Sequence, residues 1–462
     1  NFTAGEVVKN ADGSQSVSFQ LQGAGGELLT HLFTLHDGDY RVDWDIRVNG
    51  ADKLFSQGNL NLQWEAYPSK HQEDLTYERQ LTNICFSEGN NFDYISSKTE
   101  KVFGEPVQWV SVAQQFFNTT LIAKNGFSSG QIKWARNMED TATGILANVK
   151  TDLQAKFPAG ASSSLGFQLY YGPNDYKILK TNAAPGMDRI VNLGRDMYSF
   201  VRPINVYIIM PVFNFFSKFI GSYGMVILLL TLFIRLLTSP LVYTSYLSGA
   251  KMKALRPEIE AMKKRVGNDQ QAVSMEQMKL FREAGVNPLG GCIPALLQIP
   301  IFFALYSFFN SNISLRGQSF LWSHDLSAYD AILKFGFHIP AFGAHVSLFA
   351  LLAVVTSFLI SLYGMNMSPD QSNPAMKYMP YIFPVILLFV FNNLPSALTW
   401  YYTVSNIVTL ILQFVIQNYI IDHDKILAKI EANRKKPKTK SKWQERLEQV
   451  QKAQEAAKQR GK

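Results

Sequence analysis

The chain has 462 residues, with 44 Lys and Arg against 36 Asp and Glu, and a formal net charge of +8 at pH 7. Charged residues make up 17% of the chain, below the roughly 25% of an average soluble protein, while apolar residues reach 47%. This composition excludes a disordered chain and a collagen-like chain, and the two cysteines, Cys85 and Cys292, exclude a disulfide scaffold.

Residues 1–187 are predicted to form a β-sandwich. Between Tyr40 and Val48, apolar residues alternate with charged ones, and this period of two buries one face of a strand. The same alternation occurs in 17–21 and 60–66. Many short strands separated by Gly, Asn and Ser clusters are typical of two packed sheets.

Residues 188–221 are predicted to form an amphipathic helix in the plane of the membrane interface. Arg202 and Lys218 bound an apolar stretch whose uncharged part, 203–217, is shorter than the roughly 20 residues that cross a bilayer. The alternative is a sixth membrane span.

Five later stretches are long and apolar enough to form a transmembrane bundle over 222–421: 222–243, 289–310, 343–365, 378–394 and 396–421. Lys and Arg are concentrated in the 244–288 loop and in the 422–462 tail, whereas the 311–342 loop contains only Arg316 and Lys334. The positive-inside rule therefore predicts a cytoplasmic loop and tail. With five spans, the β-sandwich lies outside the cytoplasm.

Arg235 is a charge inside the first span, where burial costs a few kcal/mol, and no predicted span contains Asp or Glu. Neutral polar groups are available instead. Thr231 lies one helical turn before Arg235, and Gln298 lies in the second span. We predict a wet groove that receives polar or acidic groups; snorkelling of Arg235 to the headgroups is the alternative. The last span carries the remaining polar candidates: Tyr401, Tyr402, Thr403, Ser405, Asn406 and Gln413.

The 244–288 loop is predicted to be a helical hairpin with a turn at 267–269, because its apolar residues step by three and four. Its methionines either pack the hairpin together or contact varied apolar clients: Met252, Met262, Met275 and Met278. The tail includes the basic run 433–442, which suits electrostatic binding to anionic phospholipid or to ribosomal RNA, or is simply solvated.

Enzyme motifs give little support for catalysis. Fingerprints of metalloproteases, serine hydrolases, P-loops and dinucleotide sites are lacking, and the seven His residues are scattered along the chain. We therefore predict a protein that is not an enzyme and that needs no cofactor or metal.

Four motifs, in order, resemble the YidC/Oxa family of bacterial insertases. The segment from Asn287 to Tyr306 reads NPLGGCIPALLQIPIFFALY and resembles the signature second conserved span. The segment 233–241, FIRLLTSPL, resembles the arginine-bearing span; 322–327, WSHDLS, resembles the outer loop; and 401–406, YYTVSN, resembles the last span. The family usually begins with an N-terminal span that this sequence lacks, which suggests a trimmed chain.

This resemblance implies an α+β multi-domain membrane protein of the bacterial inner membrane with a periplasmic β-domain. It implies an insertase that moves nascent membrane proteins into the membrane, alone or with the Sec translocon. Arg235 is then the groove cation, Thr231, Gln298 and Asn406 belong to the groove, and Tyr401 and Tyr402 lie near the client path. Two alternatives are a small-solute transporter, which predicts inverted repeats, and a membrane-anchored sensor with a ligand-binding β-domain.

Overall fold

The computed structural model describes residues 1–137, 142–158, 160–267, 269–287, 293–365 and 374–435. The basic run 433–442 lies mostly outside these residues, and Cys292 lies outside them entirely. The first 173 residues are mainly β-structure, and the strands are β1 Thr3–Ala4, β2 Val8–Lys9, β3 Gln15–Gln22, β4 Leu28–Leu35, β5 Arg41–Asn49, β6 Asn59–Ala66, β7 Asn83–Glu88, β8 Asn91–Ile95, β9 Glu100–Val102, β10 Val107–Ala113, β11 Phe117–Phe127, β12 Ser129–Arg136, β13 Ala147–Lys156 and β14 Ser162–Pro173.

Among the described residues, these strands form two antiparallel sheets. The larger runs β1-β3-β4-β5-β14-β11-β10-β7-β8, with β2 also paired to β3, and the smaller runs β6-β13-β12-β9. Phe86 and Leu121 of the larger sheet belong to the same core as Trp134 and Leu153 of the smaller one. Two sheets that share one core form a sandwich, so the predicted β-rich domain is confirmed.

The period-two patterns correspond to strands. Ile46 and Val48 of β5 are 2% and 1% exposed, and this strand pairs with β4 and β14 on its two sides. The other two alternating segments lie within β3 and β6. Alternation corresponds to core packing in β5 and β6, which contribute residues to the shared core, whereas the residues of β3 are half-buried or exposed and lie outside it.

The rest of the chain is mainly helical. Short 3-10 segments occur at Ser56–Gly58, Met187–Ile190, Asp196–Val201 and Ile313–Leu315, and π segments at Asn205–Ile209 and Ile416–Ile420. The α-helices are α1 Ala51–Leu54, α2 Leu75–Leu81, α3 Tyr176–Thr181, α4 Arg202–Ile204, α5 Met210–Ser217, α6 Tyr223–Ala254, α7 Arg256–Val266, α8 Gln270–Ala284, α9 Ile293–Ser311, α10 Leu348–Met365, α11 Pro374–Phe391, α12 Ser396–Val415 and α13 His423–Lys435.

Helix α6 has 32 residues and continues through Pro240, well past the predicted span end at 243. Proline lacks the N–H that would bond the carbonyl four residues earlier, which is that of Leu236. The Ser239 hydroxyl donates to this carbonyl at 2.8 Å instead. A local side-chain bond thus replaces the missing backbone bond, and the helix does not end at Pro240.

Three helices of the described part are long and apolar enough to cross a membrane: Asp196–Ser217, Tyr223–Ala254 and Ser396–Ile420. Shorter apolar helices occur at Leu296–Ser311, Leu348–Gly364 and Tyr378–Phe391. The segment Asp196–Ser217 has 22 residues, longer than its uncharged run, because helical structure extends past Arg202. The apolar helical region is confirmed, while the count of five spans and the interfacial position of 188–221 stay predictions.

The predicted span 343–365 is helical only from Leu348 onward. Residues Gly343–Val346 form strand β16, which pairs with β15, Leu333–Ile339. The Asp330 carboxylate accepts hydrogen bonds from the backbone N–H groups of Leu348 and Phe349 at 2.9 and 3.0 Å. A carboxylate at this position stabilises the first turn and fixes the start of α10.

Contacts divide the chain into two compact units. The first unit contains Asn1–Leu230, Ile299–Leu352 and Leu388–Tyr402, and the second contains Thr231–Gln298, Ala353–Leu387 and Thr403–Lys462. The boundaries fall inside the long apolar helices. The predicted division at 187, 221 and 421 therefore stays a prediction.

Candidate functional site

Helix α6 presents two different sides around Arg235. Thr231, Ile234 and Thr238 are buried, at 0%, 6% and 9% exposure. Leu232 and Leu236 are exposed, at 41% and 74%. Arg235 is half-buried. It therefore lies at the border between a packed side that includes threonines and an open apolar side.

The guanidinium of Arg235 is hydrogen-bonded to helix α12. Its Nε donates to the Ser405 hydroxyl at 2.8 Å, and an Nη nitrogen donates to the same oxygen. Ser405 is 0% exposed. Helices α6, α9, α10, α11 and α12 contain no Asp or Glu. A neutral hydroxyl thus bonds the cation, and among the described residues no ion pair includes Arg235.

Two glutamines of the second unit have unused hydrogen-bonding capacity. The Gln298 side-chain Nε2 in α9 is buried and has no hydrogen-bond partner among the described residues. The Gln413 side-chain Oε1 in α12 is in the same state, in a residue that is 2% exposed. A buried polar atom without a partner is costly, so the Gln298 Nε2 can donate a hydrogen bond to a guest and the Gln413 Oε1 can accept one.

Tyr401 and Tyr402 pack among aromatic rings of the first unit. The Tyr401 ring lies 6.4 Å from that of Phe309, and the Tyr402 ring lies 5.9 Å from that of Phe302 and 5.0 Å from that of Phe391. They are 0% and 7% exposed. Both rings are part of the packing of α9, α11 and α12, and their predicted role on the client path is untested.

Asn406 ties α12 to α10 inside the second unit. Its Nδ2 donates to the Ala353 carbonyl at 3.0 Å, to the Thr356 hydroxyl at 3.1 Å and to the Ser357 hydroxyl at 2.8 Å. Asn406 is 8% exposed. These contacts join α12 to α10, and the groove role predicted for Asn406 stays a prediction.

The four predicted methionines separate into two kinds. Met262 of α7 is 7% exposed and packs with Phe281, and Met252 packs at the edge of the same core. Met275 and Met278 of α8 are 57% and 49% exposed. Met252 belongs to the end of α6. This helix ends at Ala254, and α7 begins after Leu255 with Pro257 in its first turn.

Helix α13 fixes the helix pair α7–α8. Ile426 and Ile430 of α13 belong to the same buried cluster as Ile259 and Phe281. The Arg434 guanidinium also pairs with the Glu258 carboxylate at 2.6 Å. The predicted turn is present, since Gly267 ends α7 and the Asp269 carboxylate caps α8. The residues before the basic run are thus part of a packed structure.

The structure joins Arg235 to Ser405 on the last span, pairs Asn406 with α10, and leaves the Gln413 Oε1 without a hydrogen bond among the described residues. Sequence reasoning placed Ser405 among six candidates and had no signal to select it, because the sequence carries no register between two helices. Thr356 and Ser357, which accept hydrogen bonds from Asn406, were not among the predicted residues. Two adjacent polar residues in an otherwise apolar span are the sequence feature that could have indicated them. Within the described ranges, no group of three His, Cys, Asp or Glu side chains could hold a metal ion.

Two family models together match most of the chain. A model described as "60Kd inner membrane protein" matches residues 215–424, and one described as "YidC periplasmic domain" matches residues 2–207. The first covers the candidate site, and the second covers the β-sandwich.

Several bacterial relatives are similar along nearly the whole chain, and each is named "Membrane protein insertase YidC". The protein from Amoebophilus asiaticus is 35% identical over 90% of this chain and 69% of its own length. The protein from Parabacteroides distasonis is 35% identical over 95% and 72%, respectively. The protein from Bacteroides fragilis is 34% identical over 97% and 74%.

Proposed function

This chain belongs to the YidC family of membrane protein insertases, and we propose that it moves client segments into the bilayer along a polar groove centred on Arg235. The observation that carries the proposal is the environment of this guanidinium. It is half-buried in an apolar helix, and its hydrogen bonds in the described structure go to the neutral hydroxyl of Ser405. Five N–H donors on one guanidinium leave capacity for a guest.

The proposed mechanism is a reduction of desolvation cost. A polar or acidic client segment that leaves water loses hydration, and the uncompensated charge of Arg235 offsets part of that loss. Gln298 and Gln413 supply further partners, because each has a buried polar atom that no described residue hydrogen-bonds. The apolar part of the client then moves into lipid, favoured by about 25 cal/mol per Å² of buried apolar surface.

We propose five membrane spans, formed by α6, α9, α10, α11 and α12. The concentration of Lys and Arg in 244–288 and in the tail supports a cytoplasmic location for α7, α8 and α13. The β-sandwich then faces the periplasm, in keeping with the description of the family model that matches it. Residues 188–221 are the interfacial helix of this arrangement.

The proposed clients are nascent membrane proteins, and the helix pair α7–α8 meets them first. Met275 and Met278 support this role, because they are exposed on α8 while the other two predicted methionines pack inside. Unbranched, polarizable side chains adapt to apolar segments of different shape. The cytoplasmic hairpin then has one face for its own core and one for clients.

Further proposed partners follow from charge and from the family. The 422–462 tail has thirteen Lys and Arg against six Asp and Glu, which supports electrostatic contact with ribosomal RNA and with anionic phospholipids. We also propose that it acts alone or with the Sec translocon. The relatives named above are insertases, which favours this function over solute transport or sensing.

The decisive experiment compares two clients on one variant. We expect Arg235→Glu to insert a single-span client with an acidic translocated segment much less well than the same client with neutral residues, in reconstituted vesicles. Arg235→Lys, which keeps the charge, is the control and should insert both. Equal insertion of acidic and neutral clients by Arg235→Glu would overturn the proposal.

A further inference from the structure

The strands β15 and β16 form a hairpin between α9 and α10 that the insertase function does not use. On β15, Leu333, Phe335, Phe337 and Ile339 alternate with Lys334, Gly336 and His338. The Phe335 and Phe337 rings stack, with centroids 5.6 Å apart, so both lie on the same side of the strand. The hairpin therefore has one apolar face and one polar face.

The apolar face is open. Leu333 is 55% exposed and Phe337 is 66% exposed. A two-stranded sheet has no second layer of its own to cover such a face. Adjacent exposed aromatic and aliphatic side chains on one face mark a surface that contacts an apolar partner.

The polar face is directed toward the β-sandwich. Lys334 lies on this face, and its Nζ donates to the Glu73 carboxylate at 2.9 Å. Glu73 belongs to the segment that precedes α2, in the same compact unit as the hairpin. The register of β15 with β16 shifts between Lys334 and Ile339, so the side of Phe337 is assigned from its neighbours. Phe335 directly follows Lys334 and points to the other side of the strand, and Phe337 stacks on Phe335, so this aromatic side is directed away from the contact with Glu73.

The turn of the hairpin contacts the end of a membrane helix. The Phe342 ring meets that of Phe389 in α11 at 5.6 Å, and the Asn392 Nδ2 donates to the Phe342 carbonyl at 2.8 Å. Phe389 is itself 40% exposed. The other end of the hairpin leads directly into α10, because β16 ends at Val346 and the helix begins at Leu348. The hairpin is thus joined to α10 along the chain and to the half-exposed end of α11 through Phe342.

We infer that the apolar face of this hairpin lies in the lipid interface, in the leaflet on the side of the β-sandwich. Aromatic side chains are enriched at this depth of a bilayer, where ring faces contact acyl chains below the headgroups. The bound surface is phospholipid, and the residues in contact with it are Leu333, Phe335, Phe337 and Ile339. The Lys334–Glu73 pair then joins the membrane-bound hairpin to the β-sandwich and holds this domain at a fixed height.

The test measures depth at two neighbouring positions of the full chain in lipid vesicles. An environment-sensitive NBD label is attached to Phe337→Cys or to His338→Cys, after replacement of Cys85 and Cys292 by Ala. The vesicles consist of phosphatidylethanolamine and phosphatidylglycerol, with or without a phospholipid that carries a doxyl quencher near its headgroup. His338 is the matched control, because it is the next residue and it is exposed on the opposite face.

We expect blue-shifted emission at 337 and at least about twofold stronger lipid quenching there than at 338, since interfacial side chains lie within the headgroup and acyl boundary. Leu333→Cys, on the same face, should behave like 337. Quenching of equal strength at 337 and 338, or at neither, would overturn the inference. Blue-shifted emission at 337 that lipid quenchers leave unchanged would also overturn it, because a protein would then cover the face.

Discussion

The two compact units each contain a buried or half-buried charged side chain, and the two side chains differ in how many hydrogen bonds the protein makes to them. In the first unit, Glu78 is 0% exposed, and its carboxylate accepts hydrogen bonds from the backbone N–H groups of His71 and Gln72, both at 2.9 Å, and from the Gln114 amide at 3.3 Å. In the second unit, Arg235 is half-buried and bonds one serine hydroxyl.

This difference separates structural charges from available ones. A carboxylate surrounded by three donors has its bonding capacity filled by its own fold, so it stabilises that fold. A guanidinium with one neutral partner keeps most of its capacity for another molecule. The number of hydrogen bonds that the protein itself makes to a charged group, more than the burial of that group, indicates which charge is available to a client.

The largest expected effect is in the β-sandwich. Glu78→Ala removes the acceptor of the His71 and Gln72 backbone N–H groups and one hydrogen bond of the Gln114 amide, which keeps its bond to the Ser69 carbonyl at 2.7 Å. It should lower the free energy of unfolding by about 3 kcal/mol. Glu65→Ala is the control, because Glu65 is exposed and its pair with Lys150 is long, at 3.6 Å; it should cost less than about 1 kcal/mol. Urea unfolding followed by Trp emission measures both, and equal losses would refute a structural role for Glu78.

The next effect separates the cation from its partner. Arg235→Gln should reduce insertion of an acidic client about tenfold, because the compensation of a charge within the membrane is lost. Ser405→Ala keeps the charge and should reduce insertion about twofold or less, through looser positioning. Insertion rates in reconstituted vesicles test this order. If Ser405→Ala is as damaging as Arg235→Gln, the pair is structural, and the contrast with Glu78 fails.

Asn406 offers an intermediate test inside the second unit. Asn406→Ala removes three hydrogen bonds to α10 and should destabilise the helical bundle by about 1 kcal/mol, in the range measured for bonds between membrane helices. Thr409→Val is the matched control, since the Thr409 hydroxyl bonds only the Ser405 carbonyl of its own helix. Thermal unfolding in detergent should show a lower Tm for Asn406→Ala alone. A changed preference between acidic and neutral clients would instead return Asn406 to the groove.

The smallest effect is a pH dependence at the hairpin. The Lys334 ammonium, hydrogen-bonded to Glu73, holds the pKa of that carboxyl below its usual value of 4.5. The stabilisation is therefore complete above pH 4.5 and is lost as the pH falls through the lowered pKa. Both side chains are mostly exposed, so the loss should stay below about 1 kcal/mol. Because Asp39, Asp43 and Glu88 also have lowered pKa values, both proteins lose stability in acid, and the wild-type protein should lose slightly more than Glu73→Gln when unfolding is measured across this pH range.

Local sequence patterns predicted much of the fold. Alternation located β5, β3 and β6, because successive side chains of a strand point to opposite sides, and long apolar runs located the apolar helices. The unusual position of Arg235 could also be read from the sequence, since it requires only the residues around it. These features depend on neighbours along the chain.

Features that depend on distant residues could not be predicted. The choice of Ser405 as the partner of Arg235 depends on the register between two helices 170 residues apart. Part of the hairpin before α10 was included in an apolar span, because the sequence of 343–347 does not distinguish a strand from a helix. The start of α10 is set by the Asp330 carboxylate, which accepts a hydrogen bond from the backbone N–H of Leu348. The end of α6 was placed too early, because the compensation of Pro240 by Ser239 is visible only in the structure.

The uninterrupted passage of α6 through Pro240 has a mechanical consequence. At 1.5 Å per residue, its 32 residues measure about 48 Å, whereas the hydrocarbon layer is only about 30 Å thick. The surplus of several turns behaves as a stiff stalk, and α7 begins at its tip. Successive residues of a helix are rotated by about 100° about the helix axis. Deleting one residue from this stalk would therefore rotate the exposed methionines of α8 by about 100° around the axis of α6.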